Sequence, residues 1–536
     1  MKQLLVLFFI LFGTSASAQN EDAWVYFTDK QNVASSLANP ILILSQEAID
    51  RKNLHGTPID ARDVPVNSNY ITQIKSQPGI SVLAKSKWFN CVYVRGNQSD
   101  ISALMNLSFV DSLEYAKHSL NTAPKTNFPQ SKSKFHLFKT QTDFDYGDAT
   151  NQVEMINADY LHQQGYTGEG ITMALMDAGF PGVDVITPFQ RMRNNNDLLD
   201  GYDFVDKTDN EFAFSSSSHG TAVLSTITGF IQNQYVGTAP DVGVYLFRTE
   251  DVWSETPVEM AYWVEAAERA DSLGVFVLST SLGYSDFDDP GTSFQPSDMD
   301  GKTTFISKGA SVAFEKGMLV VNSAGNEGNN SWGIITAPAD SPGVLAVGAV
   351  DELGNYASFS SIGPSADGRV KPDVVAQGQS TAIIGASGNI GTSNGTSFSG
   401  PIIAGAIASL WQADPSKTNV EIMDAVRQSA SQYNNPDAFL GYGIPNFQIA
   451  LADVLSTSEN FFNPEIIFYP NPVNDKLYIE KPHSNRIKIQ LFSLLGRKLA
   501  EYENPEIIDF SKYEKGIYFL KISSADHIST EKIIKK

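Results

Sequence analysis

Three short segments carry side chains whose types and order could split an acyl bond. Asp177-Ala178-Gly179 closes an apolar run, His219-Gly220-Thr221 opens a helical stretch, and Gly395-Thr396-Ser397 stands just before Pro401. A hydroxyl at its free pKa is a poor nucleophile. It needs an imidazole within hydrogen-bond reach and a carboxylate to hold that ring's tautomer. Asp177, His219 and Ser397 supply those three groups, in one of the chain orders that such a constellation takes. Of the seven histidines only His219 lies between Asp177 and Ser397. His55-Gly56-Thr57 repeats the tripeptide, but no apolar run ending in aspartate precedes it, so context selects His219.

Each segment alone reads as ordinary structure. A strand-ending aspartate caps turns, a helix N-terminus disfavours a charged imidazole, and Ser397 alone would be an N-cap with Pro401 in the first helical turn. A fourth segment joins them. Val320 to Gly328 is a buried strand running into the glycine-rich turn Ser323-Ala324-Gly325-Asn326. Acyl transfer needs donors aimed at a developing oxyanion, and Asn326 offers its side-chain amide beside the backbone N–H of Ser397.

The elements that must hold these groups follow from periodicity. Between Tyr146 and Leu455, apolar runs alternate with helical segments. The runs are Ile171–Met176, Val244–Phe247, Val275–Leu278, Met318–Val321 and Val344–Val350. Helices are expected at His219–Phe230, Pro257–Ser272, Thr304–Lys316, Ser397–Gln412 and Thr418–Ser429. Continuous apolar strands mark a parallel sheet covered on both faces, an α/β architecture whose sites form at the carboxyl ends of the strands. Asp177 sits at such an end.

A chain of 536 residues exceeds what one core organises, and three or four units are expected. Lys2, the apolar stretch Leu4 to Phe12 and Ala16-Ser17-Ala18 read as a leader over 1–18 with a small-residue cleavage site. Residues 19–145 form the next unit, with strand-like runs at Trp24–Phe27 and Ser86–Val94, a helix around Asp100–Met105, and an exposed connector from Asn121 to Thr142. The catalytic unit spans 146–455. After a low-complexity join at Ser456–Asn463, residues 464–536 carry short strand-like runs at Glu465–Tyr469, Lys476–Ile479, Ile487–Phe492, Ile517–Ile522 and Lys532–Ile534, the spacing of a small β-sandwich.

The formal charge of −22 sets the chain against nucleic acid and anionic lipid as partners. The sole cysteine, Cys91, makes no intramolecular disulfide and lies in an alternating run, Trp88 to Val94, as a buried apolar residue.

The residues around Ser397, Gly395-Thr396-Ser397-Phe398-Ser399-Gly400-Pro401, resemble the Gly-Thr-Ser-Met-Ala-(Ser/Ala/Gly)-Pro motif of subtilisin-type serine peptidases, the subtilases. Ser358 to Pro364, Asp367 to Asp373 and Gly441 to Asn446 are similar to further segments of that family, and the likeness covers about 300 residues. Ala222 replaces a frequent second histidine, Ala178 replaces a hydroxyl residue and Gln377 stands where proline is usual. None of these removes a catalytic group.

The resemblance implies a subtilisin-like, doubly wound, mostly parallel sheet, preceded by a small α+β propeptide and followed by the C-terminal β-sandwich. It implies a secreted endopeptidase made as a zymogen, with Asp177, His219, Ser397 and Asn326 as catalytic residues. Ser281-Leu282-Gly283 would be the edge to which a polypeptide substrate adds as a strand, Ser323-Ala324-Gly325 the facing wall, and Thr336 the pocket floor, making a shallow pocket. The chain's own propeptide would inhibit the cleft until cut between Asn121 and Asp145. The end of the chain, with Tyr469-Pro470-Asn471-Pro472, Leu495-Gly496-Arg497, Lys515-Gly516-Ile517-Tyr518 and a basic tail, resembles the sorting domain of type IX secretion cargo in Bacteroidota. That makes outer-membrane secretion machinery a partner and the cell surface or exterior the destination.

The chemistry requires no metal or other cofactor. The acidic segment Asp286 to Asp300 offers oxygen ligands that would suit a structural calcium, but it lacks a twelve-residue ligand loop and reads better as a surface loop. An esterase with a Gly-x-Ser-x-Gly elbow is disfavoured by the motif and the chain order. A non-enzymatic scaffold is disfavoured because all four catalytic positions are filled.

Overall fold

The computed structural model describes residues 20–121, 144–456, 467–480, 487–493, 497–523 and 528–536. The leader, nearly all of the connector, the join after Ser456 and Leu495-Gly496 lie outside the described residues. Two compact units are formed, meeting in sequence between Leu455 and Ser456.

Residues 144–455 are built on a seven-stranded sheet. In spatial order its strands are Val374–Gln377, Val344–Val350, Leu319–Ser323, Val277–Thr280, Thr172–Asp177, Gly243–Arg248 and Leu198–Asp203. All are parallel. The chain starts in the strand ending at Asp177, winds to one side through Leu198–Asp203 and Gly243–Arg248, then crosses to Val277–Thr280 and continues the other way. Asp177 therefore ends the strand at the topological switch point, where crevices open in such sheets.

The five expected strands are present with ends shifted by no more than two residues. The two unexpected ones are the sheet edges. Leu198–Asp203 is half polar and borders only one neighbour. Val374–Gln377 has four residues, too few to show a period, and follows Pro372.

Helices His219–Thr228 and Thr396–Ala413 cover one face through Val223, Ile227, Ile402, Ile407 and Trp411. Val258–Ser272 and Phe305–Glu315 cover the other through Ala267, Ala270, Ile306 and Ala310. Burial on both faces is why these strands read as unbroken apolar runs, and each fully buried Val, Leu or Ile contributes about 1.5–3 kcal/mol. Hydroxyl caps fix two helix starts: Thr304 accepts from Ser307 N, and Thr418 forms a capping box with Glu421.

Residues 20–121 form a four-stranded antiparallel sheet, ordered Ser81–Ser86, Cys91–Asn97, Asn20–Phe27, Val110–Tyr115, with helices at Gln46–His55, Ser68–Lys75 and Gln98–Ala103. The expected strand Ser86–Val94 is instead a hairpin corner: residues 87–90 turn, with Asn90 at φ 52°. Trp88 is buried there because the turn docks on helix Val258–Ser272. Glu268 of that helix accepts from Ser86 Oγ, Lys87 N and Trp88 N. Cys91 is buried in the shared core, and burial pushes its thiol pKa up.

A second contact lies at the opposite end of the sheet from Asp177. Helix Gln46–His55 approaches Gly274, where an added methyl would come within 2.7 Å of Ala48 N. Arg51 Nη2 and Lys52 Nζ each lie 2.6 Å from Asp271 Oδ1, while Lys316 Nζ lies 2.7 Å from Asp63 Oδ2. All five side chains are buried. His55, the misleading tripeptide's histidine, bonds Pro415 O through Nε2 at 2.9 Å and stacks on Trp411. Burial holds its pKa down to about 4.

The C-terminal unit is a β-sandwich, as expected. Three strands (Ile467–Tyr469, Lys476–Glu480, Ile507–Asp509) and four (Lys498–Glu503, Lys488–Ser493, Gly516–Ser523, Ile528–Lys535) share a core of Val473, Leu477, Ile489, Leu491, Phe510 and Leu520. Lys498–Glu503 and Ile507–Asp509 were not expected: the first is half charged with no fully buried residue, and the second is only three residues long.

Breaking a buried ion pair by removing one partner costs about 3–5 kcal/mol. Asp271→Ala, measured on the unprocessed chain, is expected to lower the unfolding free energy by about that amount. Denaturant unfolding measures it, and a loss below about 1 kcal/mol contradicts this anchoring.

Candidate active site

Asp177 ends its strand with its carboxylate buried. Oδ1 accepts from Ala178 N at 2.7 Å, and Oδ1 and Oδ2 lie 2.8 and 3.0 Å from His219 Nδ1. The backbone N–H of residue 178 holds the carboxylate, so the Ala178 replacement leaves it supported.

His219 is the first residue of its helix, and the two residues after it explain the tripeptide. A methyl on Gly220 would come within 2.5 Å of Gly179 O and 2.8 Å of the Phe180 ring. Only glycine lets the helix sit on the Asp177 turn. Thr221 Oγ1 donates to Pro181 O at 2.9 Å, tying the same two segments.

Burial works against a charged His219 ring, but the charge and hydrogen bond of Asp177 outweigh it, and the pKa is raised above 6.5. Glu250 adds in the same direction. Burial, then Glu255 and Asp177, push the Glu250 carboxyl up to about 8, and Tyr284 Oη donates to it.

Ser397 is the second residue of helix Thr396–Ala413 and is buried. The His219 ring lies 5.9 Å from that of the adjacent Phe398. Ser397 Oγ has Ser281 O as its acceptor at 3.5 Å. Among the described residues no hydrogen bond joins it to His219, in contrast to the expected contact. Catalytic hydrogen bonds of this kind are often long or misaligned without substrate and tighten in its complex.

Pro401 is the sixth residue of the helix rather than part of its first turn. Lacking an N–H, it cannot donate to Ser397 O four residues earlier. Ser281 Oγ makes that bond instead, at 2.9 Å. The Ser397 backbone is thus held by a hydroxyl from the neighbouring strand end.

Asn326 Oδ1 accepts from Thr396 N at 2.9 Å and Thr396 Oγ1 at 3.0 Å, which orients its amide. Gly395, at φ 150°, leaves a space beside it. A methyl there would sit 3.6 Å from Ser397 N and 3.7 Å from both Asn326 Nδ2 and Ser397 Cβ. Ser397 N, Asn326 Nδ2 and Ser397 Cβ therefore surround one point.

The expected substrate-binding residues also meet. Thr336 N donates to Ala324 O at 3.3 Å, and Tyr284 and Ala337 exchange backbone bonds of 2.8 and 3.1 Å. The Thr336 segment thereby joins the wall after Ser281-Leu282-Gly283 to Ser323-Ala324-Gly325. Thr336 Oγ1 is buried without a partner and lies where methyls on Gly283 or Gly325 would meet it, at 2.1 and 3.1 Å. Ser361 Oγ, from the Ser358–Pro364 motif, supports the same turn by accepting from Glu327 N at 3.0 Å.

The acidic segment Asp286–Asp300 uses its carboxylates locally. Asp289 accepts from Gly291 N and Lys117, Asp298 from Gln295 N, and Asp300 from Lys302 N and Thr303 N. Among the described residues no group of three or more His, Cys, Asp or Glu is gathered to hold a metal. Phe287, Phe294 and Met299 bury the loop's apolar side.

Family models match three consecutive parts of the chain. Residues 168–443 match the subtilase family, over half of the chain. The chain belongs to the subtilase family. Residues 22–134 match the peptidase S8 propeptide domain of Bacteroidota, and residues 467–536 a secretion system C-terminal sorting domain. Subtilisin NAT of Bacillus subtilis subsp. natto is 31% identical over 300 residues, covering 56% of this chain and 70% of that protein. The membrane-bound transcription factor site-1 protease of Rattus norvegicus is 30% identical over 268 residues, 48% of this chain and 22% of its own. Among solved structures, MycP1 from Mycobacterium smegmatis aligns at 22% identity and a TM-score of 0.45, covering 60% of this chain and 89% of its own. This subtilase is a secreted serine endopeptidase, synthesised with a propeptide as a zymogen.

A raised His219 pKa means that the base is lost as pH falls through a value above 6.5. The acid limb of kcat/KM is expected there. In Asp177→Asn, activity falls by about 10⁴-fold and the residual limb moves to lower pH. A pH–rate profile with a peptide anilide measures both, and an unmoved limb contradicts control of the ring by Asp177.

Proposed function

We propose that this subtilase hydrolyses peptide bonds through Ser397, His219, Asp177 and Asn326. Ser397 Oγ attacks the scissile carbonyl carbon while its proton passes to His219 Nε2. Asp177 holds Nδ1–H toward itself and stabilises the imidazolium. The carbonyl oxygen, now an oxyanion, enters the space at Gly395 and accepts from Ser397 N and Asn326 Nδ2. Collapse expels the amine with the proton from His219, and water repeats the sequence on the acyl-enzyme. The observation carrying this reading is the convergence of Ser397 N, Asn326 Nδ2 and Ser397 Cβ on one point.

The substrate is an extended polypeptide pairing with Ser281–Gly283. Thr336, filling the space between the walls, restricts the P1 side chain to small residues. Residues 20–121 act as the inhibitor, the connector between Asn121 and Asp145 is the processing region, and the C-terminal sandwich hands the chain to outer-membrane secretion machinery after export on its leader. Among the described residues no helix is long and apolar enough to cross a membrane.

A fluorophosphonate probe is expected to label the processed protein and not Ser397→Ala, and Ser397→Ala purified alone is expected to keep residues 20–121 attached. Labelling or self-processing that survives the substitution contradicts the reading. Thr336→Gly is expected to extend cleavage to bulky aromatic P1 residues in a peptide panel, and full-rate aromatic cleavage by the unsubstituted enzyme contradicts Thr336 as the restricting group.

A further inference from the structure

Asn322 lies on strand Leu319–Ser323, beside Thr280 of the neighbouring strand, and is completely buried. Its amide is fully used. Nδ2 donates to Leu282 O at 2.9 Å and to Ser323 O at 2.7 Å, while Oδ1 accepts from Thr280 Oγ1. Two carbonyl acceptors on one side and a hydroxyl donor on the other fix the orientation of the amide.

These bonds fall on the two segments that wall the pocket. We infer that Asn322 is a positioning residue that sets which backbone groups of Ser281–Gly283 face a substrate. This rests on the reading of that edge as the place where an extended peptide pairs. Carbonyls alternate in direction along an extended chain. Turning Leu282 O inward to Asn322 turns those of Ser281 and Gly283 the other way. Consistent with this, Ser281 O accepts from Ser397 Oγ, and among the described residues nothing hydrogen-bonds to the N–H or C=O of Gly283.

The bond to Ser323 O holds the facing wall to the same amide, so the cleft width and the strand register are set together. Gly400 brings the Ser397 helix against this point: a methyl there would lie 3.6 Å from Ser323 N. An apolar residue at 322 would leave two carbonyls without donors where the chain leaves the sheet, and an acid would repel them.

The test compares a peptide anilide spanning P4 to P1 with a single-residue ester that engages only the P1 pocket and the reacting groups. In Asn322→Asp, an isosteric change that removes both donors, the ratio of kcat/KM for peptide over ester is expected to fall about tenfold, mainly through KM, the size of effect expected when a buried carbonyl loses its hydrogen bond. Asn322→Ala, which leaves a small space instead of a charge, is read by the same ratio should the acid not accumulate as folded protein. A ratio that stays within about twofold of the unsubstituted enzyme, with or without a parallel loss on both substrates, overturns the inference. Absence of ester turnover in the unsubstituted enzyme would instead fail the hydrolase reading.

Discussion

Everything in the site depends on the lateral register of three parallel strands. Met176 pairs with Thr280 and Thr280 with Asn322. The next residues along, Asp177, Ser281 and Ser323, therefore stand side by side at the carboxyl ends of these strands. The Asp177 carboxylate, the hydroxyl that bonds Ser397 O and the start of the turn carrying Asn326 come from three positions distant in sequence. The register itself is held by apolar burial on both faces. A slip along a parallel strand would cost its ladder bonds and its packing together.

The glycines of the motifs are contact requirements of that arrangement. Gly220 permits a helix to rest on the Asp177 turn, and Gly395 leaves room beside Ser397 N and Asn326 Nδ2. Pro401 leaves Ser397 O without its helical donor, and Ser281 Oγ supplies one from the end of strand Val277–Thr280. Each replaces a generic helix start with a fixed relation between two segments. That preorganisation is what electrostatic stabilisation of an acyl-transfer transition state needs.

Residue identity made the reacting groups legible in the sequence, since chemistry admits few substitutes for a serine, a histidine and a carboxylate in order. The apolar runs disclosed the five central strands for a simple reason: burial on both faces leaves a strong signal. The sheet edges were illegible because Leu198–Asp203 mixes polar and apolar residues and Val374–Gln377 is short. Ser86–Val94 misled because Trp88 is buried by docking on another part of the chain, not by the pleat of a strand. Asn322 and Glu268 gave no local signal, since their meaning lies in partners across the fold: Asn322 meets a carbonyl 40 residues away and Glu268 a turn about 180 residues away. Ser281 was expected in the substrate edge, but its bond to a carbonyl 116 residues away was not.

The propeptide part applies the same physics at a larger scale. It covers helices Val258–Ser272 and Phe305–Glu315 with shared apolar residues and fixes itself at the far end of the sheet with buried ion pairs, which favour one docking geometry over near alternatives. The most direct test of the whole arrangement is a crystal structure of the processed enzyme with a peptidyl boronic acid. The account predicts tetrahedral boron on Ser397 Oγ, one boron oxygen within about 3 Å of both Asn326 Nδ2 and Ser397 N, and His219 against the other. Boron bonded to a different residue, or its oxygen turned away from Asn326, would contradict it.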